Sequence, residues 1–296
     1  MGLAPVRRRS PRAPRRLLRR LSYPAALAIV TCLAALFLIP PYWMVTGSLK
    51  AQLVTVAMPP ELVPTSPTLA NWQVVLGSNI PIWRWLGNSL LVAGATMLLS
   101  VSVSAFAGYS FGKKKFAGSR PLFLLLLATM MLPAQVLLIP LYILVRQFHL
   151  YDTYMGMVLP LVMSPFGVFL IKQFMATIPN EILAAARMDG VSEWGMFRWI
   201  ILPLSGPALA ALAIFTFTTA WNNFMWQLLM ASDVSMYTLP VGVAAMSRTP
   251  IGADQTVLNV GVLMAGGTFA ALPMILIFLV FQRQFTQGIT MGAVKG

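Results

Sequence analysis

Long apolar runs alternate along this chain with short segments that hold nearly all of its charge. Continuous hydrophobic stretches lie at 24–46, 86–110, 121–145, 156–171, 204–230 and 257–282. Each approaches the ~20 residues a helix needs to cross the hydrocarbon of a bilayer. The apolar positions are continuous instead of alternating in short segments, which predicts helices and not barrel strands. The expected fold is an all-α membrane protein with six transmembrane helices within 23–283. A basic tail at 1–22 precedes them and a short tail at 284–296 follows. Prolines interrupt the runs: Pro133 and Pro140 in the third, Pro160 and Pro165 in the fourth, Pro273 in the sixth. Each predicts a kink whose freed carbonyls must find neighbouring helices or a water-lined cavity. The segment from 50 to 84 is rich in Pro and polar turn formers and predicts a loop with one short helix at "LANWQVVL".

Composition agrees with a membrane chain. Of the 296 residues, 58% are hydrophobic and 9% charged, with a mean hydropathy of +0.78. An ordinary soluble domain could not keep such a chain in water. Arginines 7, 8, 9, 12, 15, 16, 19 and 20 precede the first run, Lys113, Lys114, Lys115 and Arg120 follow the second, and Lys172, Arg187 and Arg198 follow the fourth. With Arg283 and Lys295 after the sixth, these segments are expected on the cytoplasmic side, as are both termini. Only Lys50, Arg84, Arg146 and Arg248 remain for the other side. The net charge of +14 is thus topological, and no basic stretch is interleaved with base-stacking aromatics, so nucleic acid is not an expected partner. The head "VRRRSPRAPRRLLRRLSYP" has two readings, a secretory signal or an anchor whose irregular basic tail rests on anionic lipid. A long apolar run without a clear cleavage site favours the anchor. Cys32 is the single cysteine, which leaves no disulfide framework and no thiolate metal site.

Catalytic chemistry is nearly absent. His149 stands alone near the expected outer end of the third run. "GYSFGKKK" resembles a phosphate loop only superficially: Gly108 and Gly112 are one residue too close, and Lys114 stands where Ser or Thr would be required. None of the seven acids falls in an apolar run, whereas ion-coupled carriers place carboxylates, His or broken-helix oxygens at mid-membrane. Uphill transport would therefore draw its energy from outside the membrane.

Three of those acids, Glu181, Asp189 and Glu193, lie in one inner segment, "EILAAARMDGVSEWGMFRWIILPLSGP". Pro179 and Asn180 suit a helix start, with Glu181 in its first turn. Asp189 and Gly190 suit its end, Gly supplying a left-handed turn. Ser192 can cap a second helix that includes Glu193 and carries Phe197, Ile200 and Ile201 at helical spacing. An amphipathic connector on the bilayer surface is one reading. A surface helix usually carries a Lys/Arg-rich polar face, however, and this mixed face suits a protein partner better.

This segment resembles the inner-face coupling loop of binding-protein-dependent ATP-binding cassette (ABC) importers, in which a Gly is followed after nine residues by Ile-x-Leu-Pro. Gly190, Ile200, Leu202 and Pro203 meet that spacing, and Ala185, Ala186 and Asp189 match as well. The resemblance extends through "LANWQVVL", "PFGVFLIKQF", "AWNNFMWQLLM", "TLPVG" and the ending "QRQFTQGITMGAVKG" to most of the chain. Together these look like the second, six-span permease of maltose-type carbohydrate importers, with the type I importer permease fold. One position departs: the family's Glu, six residues before the Gly, is Ala184 here, and Glu181 lies three residues earlier on nearly the same helix face.

The resemblance implies a bacterial or archaeal plasma (inner) membrane subunit that is not itself an enzyme. It implies a heterodimer with a homologous permease, two ATPase subunits that hold the ATP and Mg, and an extracellular substrate-binding protein, with no cofactor on this chain. It implies ATPase coupling through Glu181, Ala185, Ala186, Met188, Asp189, Gly190, Glu193 and Phe197 in a loop at about 178–203. Thr286, Gln287, Gly288 and Lys295 would form an ATPase-contacting tail. Candidate substrate-path residues are Gln135, Tyr142, Asn222, Asn223, Trp226 and Gln227, amide and aromatic groups that can bind sugar rings but equally serve helix–helix hydrogen bonding. A glycerol phosphate or phosphodiester is the alternative solute, and a self-contained channel or secondary carrier the alternative of another class.

Overall fold

The computed structural model describes residues 14–55, 59–77, 79–246 and 260–293, with backbone only at 14–23, 52–53 and 283–293. Among the described residues all regular structure is helical. The chain opens with α1 (Pro14–Ser48), then α2 (Gln52–Thr55) and α3 (Ala70–Leu76), the short helix expected in the loop. The bundle follows as α4 (Ile82–Lys113), α5 (Ser119–Thr129), α6 (Ala134–Gln147), α7 (Tyr154–Val162) and α8 (Pro165–Thr177). Next come α9 (Asn180–Met188), then α10 (Glu193–Gly195) and α11 (Leu202–Leu204), joined through a π-helical stretch at Met196–Ile201 into one helix. The remainder is α12 (Gly206–Trp221), α13 (Met225–Met230), α14 (Leu239–Met246) and α15 (Val260–Ala293).

Among the described residues, three helices are long and apolar enough to cross a bilayer: Pro24–Ser48, Ile82–Lys113 and Val260–Gln282. Three bent pairs could supply further crossings. The run expected as one helix over 121–145 is instead α5 and α6, turned by 101° at a break that holds Pro133, which has no amide hydrogen to continue the helix. Pro165 opens α8 after a gentler 44° turn from α7, where Ser164 caps by accepting from the Gly167 amide at 3.0 Å. The run expected at 204–230 divides as well: α12 begins after a 75° turn at Ser205, stops at Trp221, and resumes as α13. The basic head differs from expectation in the other direction, since α1 already begins at Pro14. Likewise α15 continues as helix to Ala293, through most of the expected tail.

Helix α4 is the centre of the bundle, packed on α7, α8, α12 and α14. Its sequence makes this possible: Thr96, Ser100, Ser104, Gly108 and Gly112 recur every four residues and give one face of small side chains. A Cβ on Gly108 would fall 2.6 Å from Ile171 Cγ2 and 3.0 Å from the Lys172 amide nitrogen. The two glycines of the false phosphate loop are thus helix-packing residues. Below this face, Ile171, Met175, Leu183, Met196, Phe197, Ile201 and Leu212 form a buried cluster that joins the bundle to α9 and the π-helical stretch.

Candidate functional site

The inner segment is two helices joined by a turn, as its local chemistry requires. Helix α9 ends in a Schellman motif: the Val191 amide donates to the Ala186 carbonyl and the Gly190 amide to the Arg187 carbonyl, both at 3.0 Å. Gly190 has φ +75°, a left-handed conformation that a β-branched residue adopts only under strain. Ser192 then caps the second helix, its Oγ accepting from the Gly195 amide at 3.1 Å. The π-helical stretch widens the helix where Met196, Phe197 and Ile201 are buried; such turns are frequent at functional sites.

The two faces of this segment do different things. Leu183, Ala186, Met196, Phe197 and Ile201 turn inward. The Phe197 ring lies 4.8 Å from that of Phe106 and 5.3 Å from that of Tyr109, both on α4. Facing away are Glu181, Ala184, Ala185, Met188 and Asp189, with Met188 88% exposed. The carboxylates of Glu181 and Asp189 make no hydrogen bond or ion pair among the described residues. Of the eight residues expected to serve ATPase coupling, Ala186 and Phe197 are buried in this chain's own core, where they support the exposed face without forming it.

Glu193 is engaged within the chain. Although its side chain is 60% exposed, both carboxylate oxygens are engaged inside the chain. Oε2 pairs with Lys114 and accepts from the Tyr109 hydroxyl at 3.2 Å, while Oε1 lies 3.6 Å from the Arg187 guanidinium. Lys113 reaches the other edge of the segment, donating to the Ile178 carbonyl and, at 3.0 Å, to Asn180 Oδ1. Partial burial, and then the Arg187 charge, hold the Lys114 ammonium below the usual lysine range. The lysines and Tyr109 were legible in sequence only as an inner-face charge signal and a helix aromatic.

The candidate path residues are not gathered into one polar lining. Trp226 and Gln227 are buried, their side chains donating to the Gly156 and Met157 carbonyls of α7 at 3.2 and 3.4 Å. They hold α13 against α7, the helix–helix alternative. Asn223 Oδ1 accepts from the Trp226 amide at 3.2 Å and Asn222 donates to the Thr218 carbonyl at 2.9 Å, so both serve the break between α12 and α13. Gln135 is exposed beside the α5–α6 turn. Tyr142 accepts from Arg146 at 3.3 Å, and that guanidinium also lies over the Tyr151 ring. His149, at φ 55°, closes α6 in the left-handed position that Gly190 holds in α9. Of the expected tail, Thr286, Gln287 and Gly288 lie on the helical backbone of α15, and Lys295 lies outside the described residues. Among the described residues no group of His, Cys, Asp and Glu could hold a metal ion.

A helix–turn–helix built onto the end of the bundle where α4 finishes, with an exposed face that the chain does not cover, fits the coupling loop of a permease. Residues 100–291 match the family described as the binding-protein-dependent transport system inner membrane component, a stretch that contains this whole segment. The chain belongs to that family. The permease is 36% identical over 266 residues to the arabinooligosaccharides transport system permease protein AraQ of Bacillus subtilis, covering 89% of this chain and 92% of that one. It is 32% identical over 260 residues to the sn-glycerol-3-phosphate transport system permease protein UgpE of Shigella flexneri, covering 86% and 91%. Its fold matches a crystal structure of a bacterial ABC transporter involved in the import of the acidic polysaccharide alginate. There the TM-score is 0.80 at 19% identity, over 90% of this chain and 97% of that one. The permease is accordingly a multi-pass, non-catalytic inner-membrane subunit of an ABC importer. An ATPase and a binding protein are its partners, with ATP hydrolysis supplied by the former.

Proposed function

We propose that this permease translocates a neutral sugar or oligosaccharide, handed over by an extracellular binding protein and driven by an ATPase that docks on the exposed face of α9. The observation that carries the docking part is the division of faces in the inner segment: Glu181, Ala184, Ala185, Met188 and Asp189 point away from a fully packed interior. ATP and Mg would sit on two ATPase subunits, and the bundle would be completed by a homologous second permease. Six crossings with both termini in the cytoplasm follow if α5–α6 and α7–α8 each count as one crossing and α12 with α13 as another. Support for a sugar is the similarity to the arabinooligosaccharide permease.

A second reading, a phosphate-bearing solute, draws on the similarity to the glycerol-3-phosphate permease and on Arg146 between the Tyr142 and Tyr151 rings, at 5.8 and 5.1 Å. Proteoliposomes holding the whole transporter and its binding protein would separate the two. Uptake of arabinooligosaccharide without uptake of glycerol phosphate supports the first reading, and the reverse supports the second. Uptake by this chain with no ATPase present would contradict both.

A further inference from the structure

Glu193 sits where three elements meet, and no expectation about partner contact accounts for its geometry. Lys114 and Tyr109 approach one carboxylate oxygen from the end of α4, and Arg187 approaches the other from α9, while Glu193 itself begins the second helix of the coupling segment. Directly beneath, the Phe197 ring packs on Phe106 and Tyr109, again from α4. At the opposite edge Lys113 grips Ile178 and Asn180, where the chain enters α9. The end of α4 thus holds both helices of the segment, and its small-residue face is packed on α8 and α12 along most of its length. A push on α9 from outside must move α4 unless these contacts break.

We propose that Lys114 and Glu193 are positioning residues that latch the coupling segment to α4, so that force from the ATPase enters the bundle through its central helix as well as through α12. Glu193 is then an internal latch and not a docking acid; docking falls to the exposed face of α9. The pair is too exposed to matter much for folding, since ion pairs of this kind contribute little to stability. Its effect lies in keeping the two helices and α4 in one register while the ATPase closes. The inference rests on the reading of this segment as the ATPase-coupling element.

A double-mutant cycle in the assembled transporter tests it. Lys114→Gln, Glu193→Gln and the double variant are reconstituted with the partner permease, ATPase and binding protein. ATPase co-purification and solute moved per ATP hydrolysed are both measured. The latch predicts that each single change lowers solute per ATP about fivefold, that the double is no worse than either single, and that Lys114→Arg restores the parent value. Co-purification stays at the parent level throughout. Multiplying losses in the double, parent-like singles, or loss of ATPase binding by Glu193→Gln alone would each overturn the latch and return Glu193 to the docking surface. Failure of the ATPase to co-purify with the parent would overturn the coupling reading itself, and the latch with it.

Discussion

At the N-terminal end of α4, Arg84, Trp85 and Asn88 donate to the backbone carbonyls of residues 234, 235 and 237, and Ser89 accepts from the Leu239 amide. Tyr154 adds a hydrogen bond of 2.7 Å to Asn88 Oδ1. At the C-terminal end, Lys113, Lys114 and Tyr109 hold the coupling segment through a carboxylate, an amide oxygen and a carbonyl, beside a stack of rings. Apart from the exposed Arg84, the first end uses neutral bonds of the buried Trp85, Asn88 and Ser89, most of them to the chain's own backbone, so losing one of these partners leaves a polar group stranded. The second uses half-exposed charges that water can replace. The difference separates what keeps the permease folded from what lets it respond to a partner. Stability should be concentrated at the first end and coupling at the second.

The largest expected effect is at the second end. Gly190→Val forces a β-branched residue into φ +75° and misaligns the two short helices. Uptake should fall to background while membrane insertion and thermal stability of the bundle change little, as measured by proteoliposome uptake and a melting curve on the same preparation. Insertion failure in this variant would break the separation.

Next is Asn88→Ala at the first end, which strands the Tyr237 carbonyl and the Tyr154 hydroxyl and leaves the Ser235 carbonyl to Arg84 alone. We expect a loss of about 2–3 kcal/mol in stability, read as a lowered melting temperature, with solute per ATP unchanged for the protein that remains folded. A coupling defect at unchanged stability would reverse the assignment of the two ends.

A smaller effect concerns docking charge. Glu181→Ala should weaken ATPase co-purification, and adding Ala184→Glu should restore it, because both positions are exposed and lie about 5–6 Å apart on one helix face. If Glu181→Ala behaves as the parent, docking is carried by shape and apolar contact around Ala185 and Met188.

The smallest is His149→Gly. Both His149 and Gly190 close a Schellman motif in the left-handed region, but only one is glycine. Removing the Cβ strain should stabilise by about 1 kcal/mol without altering uptake, in a melting-curve comparison with the parent.

Local chemistry was legible in the sequence where it is set by neighbours along the chain. The Gly190 turn, the Ser192 cap, the short helix at Ala70–Leu76 and the breaks at Pro133 and Pro165 all depend on a few adjacent residues. Contacts across about 80 residues were not: nothing near Lys114 in the sequence specifies that Glu193 will meet it. A row of lysines at one inner helix end and acids in the next inner loop was the available signal, and it reads equally well as topology. The substrate-path residues were ambiguous in sequence for a related reason. Buried amides and indoles look alike in sequence whether they face a solute or another helix, and Trp226 and Gln227 face α7.

The most direct test of an ATPase seated on the exposed face of α9 is site-directed photocrosslinking. Cys32 is the single cysteine, so a Cys32→Ser background accepts a benzophenone label at one chosen position. With the label on Met188→Cys, we predict an adduct with the ATPase subunit that strengthens when ATP is bound, and none with the label on Leu99→Cys, which faces outward from the middle of α4. A transporter that retains normal uptake yet yields no ATPase adduct from position 188 would contradict the docking face.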